Sequence, residues 1–168
     1  MEKMNLKVRV SAREIYIFSM YNYLASPFGV FAILGTLAVF ALVIYKRDLL
    51  GDQVAYLIIA GMLFFMAFQL FQVRQKAKRQ AKSSEHAPDI LFNLEPEGIR
   101  VRQGTEKGEV RWDQLYKVKH VAGVYMLYLG QGQAYLIPDS ALNGTARETF
   151  LKILKTYVPE KKRKGVAV

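Results

Sequence analysis

Between Ile15 and Tyr45 the chain carries no charged residue, and after a seven-residue break a second uncharged run covers residues 53–73. Two such runs in succession are rare in a soluble domain. Residues 27–45 read PFGVFAILGTLAVFALVIY. At about 1.5 Å per residue they cover roughly 28 Å, nearly the thickness of a bilayer's hydrocarbon core, and residues 53–73 cover roughly 31 Å. Ser26 before Pro27 makes an N-cap and first-turn pair. A first transmembrane helix is therefore expected over residues 26–45 and a second over residues 53–73. The loop over residues 46–52 is so short that the two must be antiparallel neighbours. A cleaved signal peptide fits poorly, because the apolar core starts too late and runs too long.

Basic residues set the orientation. Lys3, Lys7, Arg9 and Arg13 precede the hairpin, and Arg74, Lys76, Lys78, Arg79 and Lys82 follow it. The connecting loop has only Lys46 and Arg47, beside Asp48 and Asp52. Both termini are thus expected in the cytoplasm, with residues 46–52 outside. The formal net charge of +10 would suggest nucleic acid in a soluble protein. Here the cations flank apolar spans, where they hold orientation and meet anionic head groups, so no nucleic-acid partner is expected. With no cysteine, the chain has no disulfide framework and no thiolate chemistry. Neither span contains Asp, Glu, Lys, Arg or His, which argues against an ion path or transport site. Gly29, Gly35 and Ala38 on the first span and Ala60, Gly61 and Ala67 on the second suggest close helix approach.

Residues 4–10, MNLKVRV, alternate apolar and polar, the period of a half-buried strand. This N-terminal strand (residues 1–10) is followed by Ser11-Ala12-Arg13-Glu14, a capping box that opens a helix over residues 11–25. That helix is rich in aromatics and suits either the head-group interface or packing against a cytoplasmic domain. After the second span, residues 74–88 read as a basic helix extension and a polar linker.

From residue 89 the pattern changes to short strands separated by turn signals. They are residues 90–94, 99–103, 108–112, 115–121, 124–129 and 134–137. Thr145-Ala146-Arg147-Glu148 reads as a second capping box, and Phe150, Ile153, Leu154 and Tyr157 share one face of the helix it would start. Pro159 ends that helix, and residues 160–168 form a basic tail. Six strands leave a core only partly covered, and the N-terminal strand is the natural seventh. The expected fold is α+β. A two-helix transmembrane hairpin is inserted after the first strand of a seven-stranded, pleckstrin-homology-like sandwich or barrel, which fills residues 89–159 and has a C-terminal helix.

The segments FNLEPEGIRV, EVRWDQLYKV and YMLYLGQGQAYLIPDSAL, with the helix around ETFLKIL, resemble the YcxB-like family of small bacterial membrane proteins. Trp112 with Leu115 and Val118, and the strand end Leu136-Ile137-Pro138, carry the resemblance best, which extends over nearly the whole chain. It implies two membrane spans joined to a pleckstrin-homology-like C-terminal domain in the bacterial cytoplasmic (inner) membrane. It implies no activity and no catalytic residues.

No residue pattern points to chemistry. His86 and His120 stand far apart, the acids Glu95, Glu97, Glu106 and Glu109 sit at turns, and no nucleotide or nucleophile motif appears. No enzyme activity, cofactor or metal is expected. Trp112 reads as a core anchor. Two sets of cations suit binding instead. Arg74, Lys76, Lys78, Arg79 and Lys82, with Lys161, Lys162, Arg163 and Lys164, are candidate contacts for anionic lipid of the inner leaflet. Arg100 and Arg102 share one strand face, as do Lys117 and Lys119, and these four are a candidate partner surface, with Lys107 and Arg111 nearby. The expected function is a non-enzymatic, membrane-anchored binding or scaffold module that presents its cytoplasmic domain to a protein or lipid partner. The alternative is an immunity protein against a membrane-acting toxin.

Overall fold

The structure is a computed structural model that describes residues 3–84, 88–163 and 165–166. Strand β1 (Met4–Val8) leads into helix α1 (Ala12–Ala25). The capping box at its start is formed: the Ser11 side chain accepts from the backbone N–H of Arg13, and the Glu14 carboxylate accepts from the Ser11 N–H at 2.7 Å. Helix α2 (Pro27–Tyr45) follows after a bend at Ser26. There the Ser26 hydroxyl accepts from the Gly29 N–H at 2.9 Å and donates to the Tyr23 carbonyl at 2.7 Å. The bend also depends on Gly29, since a Cβ at that position would collide with the Tyr23 carbonyl oxygen. A single turn, α3 (Arg47–Leu50), turns the chain back into helix α4 (Asp52–Ser84). Helix α4 runs unbroken through the basic stretch to Ser84; of the linker expected within residues 74–88, residues 85–87, including His86, lie outside the described residues.

Helices α2 and α4 are long and apolar enough to cross a membrane. Close packing through small residues does not hold throughout, because Gly35 and Gly61 have no atom within 4 Å of where a Cβ would stand. A groove lined by Ala32, Thr36 and Phe40 of α2 and Ile59, Met62 and Met66 of α4 lies between the two helices.

The rest of the chain forms two antiparallel sheets. β1 pairs with β2 (Ile90–Glu95) from Met4 opposite Leu94 to Val8 opposite Ile90. β3 (Gly98–Gln103) and β4 (Glu106–Arg111) complete this four-stranded sheet. β5 (Lys117–Val121), β6 (Val124–Tyr128) and β7 (Ala134–Pro138) make a three-stranded sheet. Helix α5 (Thr145–Tyr157) closes the domain. The strand alternation read from the sequence places Met4, Leu6 and Val8 of β1, Phe92 and Leu94 of β2, and Ile99 and Val101 of β3 in one core. Val118, Tyr125, Leu127 and Ile137 of the second sheet and Phe150, Ile153 and Leu154 of α5 join them.

Two expectations need correction. Trp112 and Leu115 lie between strands, Trp112 in a 3-10 turn over Trp112–Gln114, although both are buried in the core. The second capping box does not form: Gly144, at φ 54°, occupies the N-cap position and no side chain caps the helix. Thr145 is already the first helical residue, so its hydroxyl stands one position too late to cap.

Because β1 precedes the helical hairpin and β2 follows it, the hairpin is an insertion between two paired strands. That pairing requires both ends of the hairpin to emerge on the same side.

Candidate functional site

Helix α1 joins the hairpin to the sheets. One side faces β6 and β7, where Ile15, Phe18 and Tyr21 pack on the cluster of Val124, Met126, Tyr128 and Leu136. The other runs beside α4, whose Ala77 is 1% exposed. An apolar helix covered on two sides needs no polar stripe, which explains why α1 has no clear amphipathic pattern. Phe18 and Tyr128 bring their rings to 5.9 Å. The Tyr128 hydroxyl donates to Asn22 Oδ1 at 2.9 Å, close to the start of α2. Burial, with a smaller contribution from Tyr21, pushes that hydroxyl's pKa up to about 12, so it stays a neutral donor.

Cations crowd this junction. Arg74 and Lys78 of α4 line a cavity with Ala12, Arg13 and Tyr16 of α1. Lys78 and Lys82 line another with Arg9, Val10 and Ser11. Lys76 and Arg79 are exposed on the remaining circumference of α4. The C-terminal cations are placed differently. Lys162 donates to the Asp113 carbonyl at 2.8 Å, and Arg163 is partly buried with its Nε unpartnered, so both fold back on the domain. Lys161 is exposed, and Lys164 lies outside the described residues.

Domain packing around α5 centres on Trp112, whose indole N–H donates to the Glu95 carbonyl at 2.8 Å while its ring stacks on Tyr157 at 5.7 Å. This contact ties the end of β2 to the end of α5.

Residues 94–154 match the YcxB-like protein family.

The match runs from within β2 to within α5 and is narrower than the resemblance read from the sequence, leaving α1 to α4 outside it. No curated protein and no solved structure matches the chain.

Within the YcxB-like stretch, the four cations expected to form one surface divide between the two sheets. Arg100 and Arg102 project from the outer face of the four-stranded sheet, where they line an open cavity of about 350 Å3 with Asn93, Lys107 and Glu109. Arg100 is held by Glu95 at 2.7 Å and Glu109 at 3.6 Å. Arg102 and Lys107 stand opposite each other in register without an acidic partner among the described residues. Arg111 is paired with Asp113. Lys117 and Lys119 lie in register with Tyr128 and Met126, on the sheet face that receives α1. The Lys117 ammonium sits 4.6 Å from the Tyr128 ring centre and 5.6 Å from that of Tyr116, a cation–π pair beside the junction.

Among the described residues no cluster of histidine and acidic side chains fits a metal ion. His120 is one of two histidines that stand far apart in the sequence. It is partly buried, stacks on Tyr125 at 4.1 Å, and places Nε2 3.0 Å from Asp139 Oδ1. With the Asp139 N–H donating to the Gly123 carbonyl, this contact fixes the turn after β7 against the β5–β6 hairpin. Nothing in the sequence spacing links the two residues. The α1–β6 contact did have a signal: β6 reads VYMLY without a charged residue, and all five positions are buried, the mark of a strand covered on both faces.

Proposed function

We propose that the chain is a non-enzymatic membrane anchor and binding module. Helices α2 and α4 span the bacterial cytoplasmic membrane, and a cytoplasmic pleckstrin-homology-like domain is held beside the inner leaflet and offered to a protein or lipid partner. Support for insertion comes from the hairpin surface: Phe31, Leu57 and Phe64 are each more than 70% exposed, alongside many other apolar side chains of α2 and α4. A contiguous apolar surface of that size is unstable in water and natural in a bilayer. Support for a pleckstrin-homology-like plan comes from the four-plus-three strand order and the closing helix.

The observation that carries the binding reading is the open cationic cavity at Arg102 and Lys107, on the outer face of the four-stranded sheet, where both side chains are exposed. Because the hairpin is inserted between β1 and β2, that face belongs to the same sheet as the strands that flank the hairpin. A surface with unpaired guanidinium and ammonium groups selects an anionic or acidic partner.

The test is affinity capture from solubilised membranes with the full chain and with R102E/K107E. Both positions are exposed, so the double variant keeps the core. A partner captured by the wild type and lost on charge reversal supports the reading. Identical capture by both chains contradicts it.

A further inference from the structure

Along one side of the seam between α1 and α4 lie two cavities of opposite character. The first, of about 320 Å3, is lined by Ala12, Arg13, Tyr16, Arg74 and Lys78, which gives three cations, one phenol and no carboxylate. Glu14, the nearest acid in sequence, is turned back onto Ser11. None of the three cations has an acidic partner among the described residues. The second cavity is an apolar groove of about 390 Å3, entered past Tyr23 and Leu24 and continuing between α2 and α4, where Thr36, Phe40, Met62 and Met66 line it.

The two are in line. Tyr16 and Tyr23 are seven residues apart on α1, and Leu70 of the groove is four residues from Arg74 on α4, so each pair shares a helix face. Seven residues of helix separate the cationic end from the apolar one by about 10 Å. A site with an anion-binding end above a dry groove matches an amphiphile with a phosphate and an acyl chain. We propose that this seam binds one anionic phospholipid, its phosphate against Arg13, Tyr16, Arg74 and Lys78 and one acyl chain between α2 and α4. A second copy of the chain is disfavoured as the occupant, because it would bring its own cations to the same place.

The inference rests on α2 and α4 being membrane spans. It is tested by reconstituting the full chain in nanodiscs of mixed phosphatidylglycerol and phosphatidylcholine, then counting retained lipids by native mass spectrometry after release into neutral detergent. One phosphatidylglycerol per chain is expected on the wild type. R13Q/R74Q/K78Q should weaken retention roughly 100-fold. R147Q/K155Q, which removes two exposed cations of α5, should leave it unchanged. Equal retention of phosphatidylcholine, equal loss with the control variant, or a lipid-free dimer would each overturn the proposal. So would protection of the wild type by inorganic phosphate alone as strong as that by the lipid, since the groove would then be idle. Failure to enter nanodiscs at all would instead refute the membrane reading beneath it.

Discussion

The hydroxyl of Tyr128, at the end of β6, donates to Asn22 of α1 at 2.9 Å across 106 residues of chain. It is the described hydrogen bond that joins the second sheet to the helix leading into the hairpin. Replacing Tyr128 with Phe keeps the Phe18 contact and removes the donor, which should cost about 1 kcal/mol. Hydrogen exchange of α1 in detergent should quicken accordingly, with little change in the four-stranded sheet.

The same residue gives a pH dependence with a defined sign. An unfolded tyrosine ionises near pH 10, whereas this one is held up to about 12. Its contribution to stability is therefore complete below pH about 10 and is lost as pH rises toward 12. Thermal unfolding of the wild type should weaken over that window more than that of Y128F. Parallel pH profiles for the two chains would contradict the buried, neutral hydroxyl.

Trp112 is the chain's one tryptophan, so its fluorescence reports a single site. Its stack on Tyr157 and its bond to the Glu95 carbonyl predict blue-shifted emission that moves to the red on unfolding. W112A should destabilise the domain by about 3–5 kcal/mol, the range for a buried aromatic replaced by Ala. W112F, which keeps ring packing but loses the N–H donor, should cost less.

The β5–β6 hairpin turns at Ala122-Gly123 with positive φ at both, 50° and 83°. Glycine tolerates that conformation, whereas alanine pays a steric penalty that asparagine pays less of. A122N should therefore raise stability by about 0.5–1 kcal/mol, read as an increased melting temperature. A122V should lower it.

Gly29 predicts the opposite response. Even a methyl group there strikes the Tyr23 carbonyl, a backbone atom that cannot swing aside. G29A should open the bend between α1 and α2 and destabilise the chain by about 1–3 kcal/mol, measured by unfolding in detergent.

Much of this architecture is legible in the residues themselves. The two uncharged runs gave α2 and the apolar part of α4, Ser26-Pro27 gave the bend, and alternation in MNLKVRV gave β1. Local signals succeed where a periodic pattern or a cap acts within a few residues. They failed at Thr145, where a capping sequence was present but the glycine before it took the cap position. Tertiary relations were less accessible. Arg102 and Lys119 belong to strands of similar pattern, yet which sheet face each occupies depends on how the sheets and α1 assemble. The groove between α2 and α4 was likewise hidden, since small residues suggest contact while Gly35 and Gly61 meet nothing within 4 Å.

The central claim is that a hairpin inserted between β1 and β2 spans the membrane and leaves both sheets on one side. Because the chain has no cysteine, single cysteines report position without background. Leu49, 85% exposed in the turn between α2 and α4, and Arg102, exposed on β3, are the two sites to label in intact cells with a membrane-impermeant maleimide. L49C should react from outside, and R102C only after the membrane is opened. Labelling of R102C in intact cells, or protection of L49C until the membrane is opened, would contradict the claim.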